Sequence, residues 1–445
     1  MRLKEILLLV TENLRLELKS SEFRDVFKNY LTYFGGLILI GAINFFSIPA
    51  IIRLYGTGSY GEFSLVQNVI LIAISFTSGW LNQCIIRFND RSRTFSFTIH
   101  LLLAFSLIPT FLILLIYHIY SGFNTLVFFI SLLTLLLGSF FSIRITFYQS
   151  EFRSRRSVGT DLIRVITFVA FIFLFYLFSV PNSILLAFLI SYVAPVLFII
   201  LKDSGNIPGM LRRRERHGFI NQSSGKFKIF LSYGIPLTFW FVASSLIGVF
   251  SRYVMDYHLP ISDVGYYSAV YDMTSKGCQL VFTPFLAAGY PLISKLYNEG
   301  QRMKSYNVIR NLVLIELAIA VPLGLGLYYL TGFYLESIIG VSVYSFSRRL
   351  VMIIFAGSFL WQLAMLLHKP LELRLRTRQM LLSVIISLVM NIVLAVIFIP
   401  KYGMIAGGYA TLAGVIVYIL LTLLMVTINR RTGTFSDDSR PDRTF

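Results

Sequence analysis

Charge is scarce in this 445-residue chain. Only 13% of residues are Asp, Glu, Lys or Arg, while 56% are hydrophobic, and the mean hydropathy is +0.75. Ordinary soluble domains carry about a quarter charged residues, so this balance points to an integral membrane protein. Cysteine is nearly absent. Cys84 and Cys278 lie in or beside apolar runs, which speaks against a disulfide framework or a metal cluster and leaves two small packing residues. The five histidines, His100, His118, His217, His258 and His368, are scattered, and no HExxH, CxxC or GxxxxGKS/T pattern occurs. The alternating stretches of about ten residues that mark an outer-membrane barrel are missing as well.

What the chain does have is long, unbroken apolar runs. About 20 apolar residues span the hydrocarbon layer of a bilayer, and many such runs make a helical bundle. Twelve spanning segments are expected, at 31–52, 64–86, 98–119, 124–147, 161–180, 183–201, 229–251, 266–294, 309–331, 350–367, 380–399 and 404–427. The fold class is therefore all-α and polytopic. Residues 1–30 form an amphipathic interfacial arm, 31–201 and 229–427 two six-helix bundles, 202–228 a basic linker, and 428–445 a disordered polar tail.

Lys and Arg are unevenly shared among the connections. The arm, the even-numbered loops and the tail carry 30 of them and the odd-numbered loops 5, which places both termini in the cytoplasm. The same asymmetry accounts for the net charge of +18 without nucleic-acid binding. The linker, with Arg212, Arg213, Arg214 and Arg216, reads as a topogenic stretch touching anionic headgroups, with a specific lipid or protein contact as the alternative.

That linker divides the segments evenly, and the halves look alike. Gly61, Phe63 and Ser64 match Gly265, Tyr267 and Ser268 at a constant offset of 204 positions; Arg53 and Arg252 precede the two turns, and Pro181 answers to Pro400. Two correspondences in the same order suggest an internal duplication with parallel halves about an axis along the membrane normal.

The eighth segment is the least generic stretch. Ser268, Asp272, Lys276, Gln279 and Thr283 recur at three- and four-residue intervals and so share one helix face. A charge deep in a spanning helix costs about 2.5–3.5 kcal/mol, so such a face is expected to look into protein or a hydrated cavity. The second segment carries Ser64, Asn68, Ser75, Gly79 and Asn82, and the eleventh Ser383, Ser387 and Asn391. Helix packing is the alternative for these neutral stripes. Pairing of Asp272 with Lys276 at i, i+4 is the alternative for the charged one.

Cations in or near the segments are Arg53, Arg252, Lys276, Arg144, Arg164 and Arg310, against Asp161, Asp272 and Glu316. The excess suits phosphate, with Lys276 and Arg252 foremost; Arg144, Arg164 and Arg310 lie near inner helix ends, where snorkelling to lipid phosphates is the alternative. Glu316 and Asp272 are the carboxylates placed for ion coupling. Pro49, Pro236, Pro284 and Pro291 supply bending points. Outward loops are short, the largest about 332–349, which leaves no room for an extracytoplasmic catalytic domain. Transport by conformational change is the expected class, with no enzyme activity and no cofactor.

The stretches RLYGTGSYGEFSLVQ, SRYVMDYHLPISDVGYYSAVYDM, PLISKLYNEG and IPKYGMIAGGYATLAG resemble the polysaccharide transporter family, which includes bacterial O-antigen flippases. That family lies within the multidrug, oligosaccharidyl-lipid and polysaccharide exporter superfamily. The resemblance implies two bundles around a V-shaped cavity in the inner membrane. It also implies movement of an undecaprenyl-pyrophosphate-linked oligosaccharide from the cytoplasmic to the periplasmic leaflet. Expected partners are the lipid-linked oligosaccharide, membrane lipids and other proteins of polysaccharide assembly. The alternative is a cation-coupled multidrug exporter of the same architecture.

Overall fold

The computed structural model describes residues 21–88, 93–122, 124–151, 153–203, 219–374 and 376–431. The basic residues Arg212 to Arg216, most of the arm and the tail beyond Arg431 lie outside the described residues. Secondary structure among the described residues is helical, with no strand. The elements are α1 (Ser21–Phe88), α2 (Arg93–Ser121), α3 (Thr125–Ser150), α4 (Ser154–Leu177), α5 (Ser183–Asp203), α6 (Phe219–His258), α7 (Ile261–Asn298), α8 (Arg302–Tyr329), α9 (Ser347–Leu367) and α10 (Thr377–Arg431). Two short turns, Thr331–Phe333 and Lys369–Leu373, and a π-helical turn, Tyr334–Ile339, complete the list.

Nine of these helices are long and apolar enough to cross a membrane, which makes the chain a multi-pass membrane protein. Two of the stretches, in α1 and α10, run to 53 residues. At 1.5 Å per residue that is about 80 Å, far more than one ~30 Å crossing, and both break at a glycine. Gly56 adopts φ 82 and Gly403 φ 62, and each follows a tyrosine in the repeated dipeptide Tyr-Gly. Only glycine enters that region without a Cβ clash, so single residues do what the sequence assigns to whole loops. The expected break at Pro181-Asn182 is a turn with Ser179 and Asn182 at φ 50 and 54. The stretch 332–349, expected as a loop, is largely ordered by the π-helical turn, whose Leu335 and Ile339 are buried.

Helices α2 to α5 pack on α1 and on one another, while α6 to α10 pack among themselves. Contact between the two groups runs mainly through α1, which lies against α6 and α7. Near Gly56 the two groups share one core. There Ile51, Tyr60, Phe63 and Leu65 of α1 cluster with Val264, Tyr267, Ile339, Leu350 and Ala406. Towards the opposite end the cores are separate, one holding Trp80, Ile85, Leu103 and Phe147, the other Trp240, Met380, Val384 and Tyr418.

The shared end is closed by a tight crossing of α1 and α7. Ser64 Oγ donates to Ser268 Oγ at 3.0 Å, so two residues 204 positions apart, matched in sequence, meet each other. A Cβ on Gly61 would stand 2.7 Å from the Ile261 carbonyl oxygen, and one on Gly265 would overlap the Thr57 carbonyl. Both obstacles are backbone and cannot swing away. Gly265→Ala is therefore expected to destabilise the fold by about 1–3 kcal/mol. Gly58→Ala, three residues before Gly61 on α1, meets nothing within 4 Å and is expected to be neutral. Melting temperatures of the two detergent-purified variants check this, and equal values would refute the close crossing.

Candidate functional site

Helix α7 starts after Pro260 and presents Tyr271, Asp272, Ser275, Lys276 and Gln279 to a cavity of about 290 Å³. The facing wall is Asn68, Leu71, Ile72 and Ser75 from α1; the rest comes from α6, α9 and α10, including Ser244, Ser245, Arg252, Ser358, Trp361 and Thr411. The cavity is thus walled mainly by the second group of helices and closed by one limb of α1.

Arg252, at 1% exposure, stands at the end of α6 and reaches back across the α6–α7 turn to Asp272. Its Nη2 donates to Oδ1 at 2.5 Å and its Nη1 to Oδ2 at 3.2 Å. The Tyr271 ring lies 5.1 Å from the guanidinium carbon. Tyr60 of α1 donates its hydroxyl to Asp272 Oδ2 at 2.7 Å. The carboxylate is therefore fully engaged, and the i, i+4 partnership with Lys276 does not form. A planar guanidinium matches both carboxylate oxygens at once, which a single ammonium cannot do. Among the described residues no carboxylate comes within 4.0 Å of the Lys276 ammonium.

The polar stripe of α7 divides by depth. Ser268 belongs to the closed crossing, Asp272, Lys276 and Gln279 border the cavity, and Thr283 bonds Gln362 at 3.5 Å. Of the polar stripe on α1, Asn68 and Ser75 reach the cavity, while Asn82 donates to Ser142 at 2.8 Å. The stripe Ser383, Ser387 and Asn391 is wholly buried and off the cavity, so it packs helices.

The structure places several expected site residues elsewhere. Arg53 donates to the carbonyls of Ser337 and Ile338, where it caps the π-helical turn. Arg164 pairs with Asp161 at 2.7 Å and lies 5.8 Å from the Tyr192 ring centroid. Arg144 sits 5.5 Å from the Tyr148 ring centroid. Arg310 is exposed, and Glu316 is 1% exposed with no partner on Oε2. None of these five borders the cavity. Helix ends and partners decide their positions, and a list of intramembrane charges does not reveal them. Sequence reasoning also passed over Tyr60, Tyr271 and Trp361. Aromatics are 16% of the chain, so single ones carry no signal.

The arrangement of helices is the fold seen in MATE transporters and in the flippase MurJ. The chain is similar to a multidrug resistance MATE family transporter of the MOP superfamily in an inward-facing conformation, with TM-score 0.62 and 14% identity over 91% of this chain and 96% of that one. It is similar to a mutant form of the Vibrio cholerae MATE transporter VcmN, with TM-score 0.58 and 14% identity over 92% and 97% of the two chains. A third similar structure is the lipid II flippase MurJ in an inward closed conformation, with TM-score 0.56 and 17% identity over 91% and 86%. All three are transporters or flippases by name, not enzymes. No curated protein sequence matches the chain. The family model for polysaccharide biosynthesis proteins matches residues 26–297, and the chain belongs to that family.

Proposed function

We propose that the protein is a flippase that carries an undecaprenyl-pyrophosphate-linked oligosaccharide, of O-antigen or similar surface-polysaccharide type, from the cytoplasmic to the periplasmic leaflet of the bacterial inner membrane. The observation that carries this reading is the charge state of the cavity. Its only carboxylate among the described residues, Asp272, is consumed by Arg252 and Tyr60, while Lys276 is left without a carboxylate partner. A site so arranged favours an anion over the cations a multidrug exporter takes.

Counting α1 and α10 as two crossings each, and adding α7, gives twelve crossings in two bundles, 31–201 and 229–427. Helix α7 turns Asp272, Ser275, Lys276 and Gln279 to the cavity, as expected of a helix that borders a hydrated space. With both termini cytoplasmic, the Gly61–Gly265 crossing is the periplasmic seal. The separate cores then lie on the cytoplasmic side, where the head group enters while the polyprenyl chain stays in lipid. Outward movement of a dianion releases roughly 4–5 kcal/mol at a 100 mV interior-negative potential, at about 2.3 kcal/mol per charge. Glu316 is off the cavity and Asp272 is saturated, so the membrane potential supplies the drive.

The test uses the full-length protein in liposomes loaded with an undecaprenyl-pyrophosphate-linked oligosaccharide, with the glycan facing the outside read by a membrane-impermeant glycosidase. Protein-dependent transbilayer movement, accelerated by a potential, supports the proposal. Ion-driven uptake of tetraphenylphosphonium with no movement of the glycan lipid would establish the multidrug exporter instead.

A further inference from the structure

A second cavity, of about 310 Å³, lies within the first group of helices, between α1, the start of α3 and the α4–α5 turn. Ser59, Glu62, Phe63 and Val66 of α1 line it, whereas Asn68, Leu71, Ile72 and Ser75 line the cavity of Lys276. Each residue of the latter set follows its counterpart by nine positions, which is two and a half helical turns. The two cavities therefore lie on opposite faces of one limb of α1. At 1.5 Å per residue the second stands ~13 Å nearer the Gly56 end, level with the Gly61–Gly265 crossing.

Its polar and apolar groups are sorted by exposure. Ser59, Glu62 and Asn182 are exposed, while Phe63, Val66, Ile184 and Leu185 are buried. The buried wall is fixed in place. The Phe63 ring stacks on Phe168 at 6.1 Å and meets Phe188 edge-on at 5.8 Å. Tyr55 and Ser183 also belong to the wall, where their hydroxyls donate to the carbonyls of Ile172 and Val180. The turn beside them has an uncommon backbone: Ser179 and Asn182, at φ 50 and 54, are the non-glycine residues with positive φ among the described residues. Such conformations persist where the surrounding structure holds them. The side chains of Ser59, Glu62 and Asn182, by contrast, make no hydrogen bond or ion pair among the described residues.

This lining offers hydrogen bonds more than it attracts charge. Glu62 is exposed, so solvent and salt screen its field, but its two oxygens accept several hydroxyl protons, and O–H donors bond a carboxylate more strongly than a neutral acceptor. Asn182 and Ser59 both donate and accept. Among the described residues no lysine or arginine lines the pocket, so a phosphate finds no cation there. A neutral ring with hydroxyls on its edge and C–H groups on its face satisfies the exposed groups and the buried wall at once.

We infer that this outer pocket is a binding site for a neutral sugar, whose hydroxyls are bonded by Glu62, Asn182 and Ser59 and whose C–H face meets Phe63, Val66 and Leu185. At about 310 Å³ it is at the small end of ligand sites, so it holds a short piece of glycan and not a whole repeat unit. In the flippase reading, on which the source of the sugar rests, the pocket receives distal sugars of the glycan on the periplasmic side, away from the diphosphate that Lys276 takes. Glu62 disfavours uronic acids there by like charge.

Full-length protein in nanodiscs is titrated with the neutral disaccharides chitobiose, lactose and mannobiose, with digalacturonate, and with undecaprenyl diphosphate; saturation-transfer NMR reads the soluble sugars. At least one neutral disaccharide is expected to bind, and digalacturonate about tenfold or more weakly. Glu62→Ala is expected to lose about tenfold in affinity for the neutral sugar and Ser59→Ala about threefold, while Glu62→Gln narrows the preference over digalacturonate. These substitutions change exposed side chains, so undecaprenyl diphosphate is expected to bind each variant as it binds the wild type. Four results would each overturn the sugar site and leave the flippase reading standing: no neutral disaccharide bound, digalacturonate bound as tightly, an unchanged affinity in Glu62→Ala, or an equal loss of undecaprenyl diphosphate in that variant. Wild-type protein that binds a neutral disaccharide but not undecaprenyl diphosphate overturns the flippase reading and leaves the sugar site standing.

Discussion

Lys276→Ala is expected to slow translocation of the lipid-linked glycan by about 30-fold or more at matched membrane abundance, with Lys276→Arg retaining most activity. The ammonium lies in a cavity whose carboxylate is already engaged by another cation and a tyrosine hydroxyl. Its charge is therefore available to an incoming phosphate. Removing one member of a desolvated charge pair costs about 2–5 kcal/mol, and each 1.4 kcal/mol is a factor of ten. Stability should change little, because among the described residues Lys276 leaves no buried carboxylate uncompensated. Transport at the wild-type rate by Lys276→Ala, measured as periplasmic glycan in cells or as glycosidase-accessible lipid in liposomes, would remove the lysine from the site.

Asp272→Asn is expected to act differently, through the fold. It leaves Arg252 charged, 1% exposed and without a counterion, a situation that costs about 3–5 kcal/mol. A fall in melting temperature and in membrane yield should accompany any loss of transport. Arg252→Ala leaves Asp272 behind and should behave alike, so neither single variant reports on substrate binding alone. Replacing both, Asp272→Leu with Arg252→Met, removes the charges together and is expected to restore most of the stability. A double variant no more stable than Asp272→Asn would mean that the pair contributes through something other than its charges. The comparison separates a scaffold pair from the cavity-lining lysine, although Asp272 and Lys276 sit one helical turn apart.

Much of the site could be read from spacing. The α7 stripe was visible because charges at three- and four-residue intervals are costly in a spanning helix and so must share a sheltered face. The match of Gly61 and Ser64 with Gly265 and Ser268 was visible because close helix crossings demand small residues in a fixed order. Its physical sense was not: the matched residues touch, Ser64 on Ser268. The partner of Asp272 was also hidden. Sequence proximity favoured Lys276 four positions on, whereas the bond goes to Arg252, 20 positions back, through a hairpin whose geometry no local pattern encodes. Arg53, Arg144, Arg164, Arg310 and Glu316 looked equivalent to the cavity charges because hydropathy does not say which way a helix faces.

The amino-acid order alone determined the all-helical membrane class and the polar face of α7. These follow from the cost of exposing backbone and charge to hydrocarbon, a cost paid residue by residue and so written locally. Which cation neutralises Asp272, which stays open, and which aromatic ring borders the cavity were decided only when α1, α6, α7, α9 and α10 came together. Distances between side chains far apart in the chain depend on how helices cross, and a crossing is a property of two surfaces, not of either sequence.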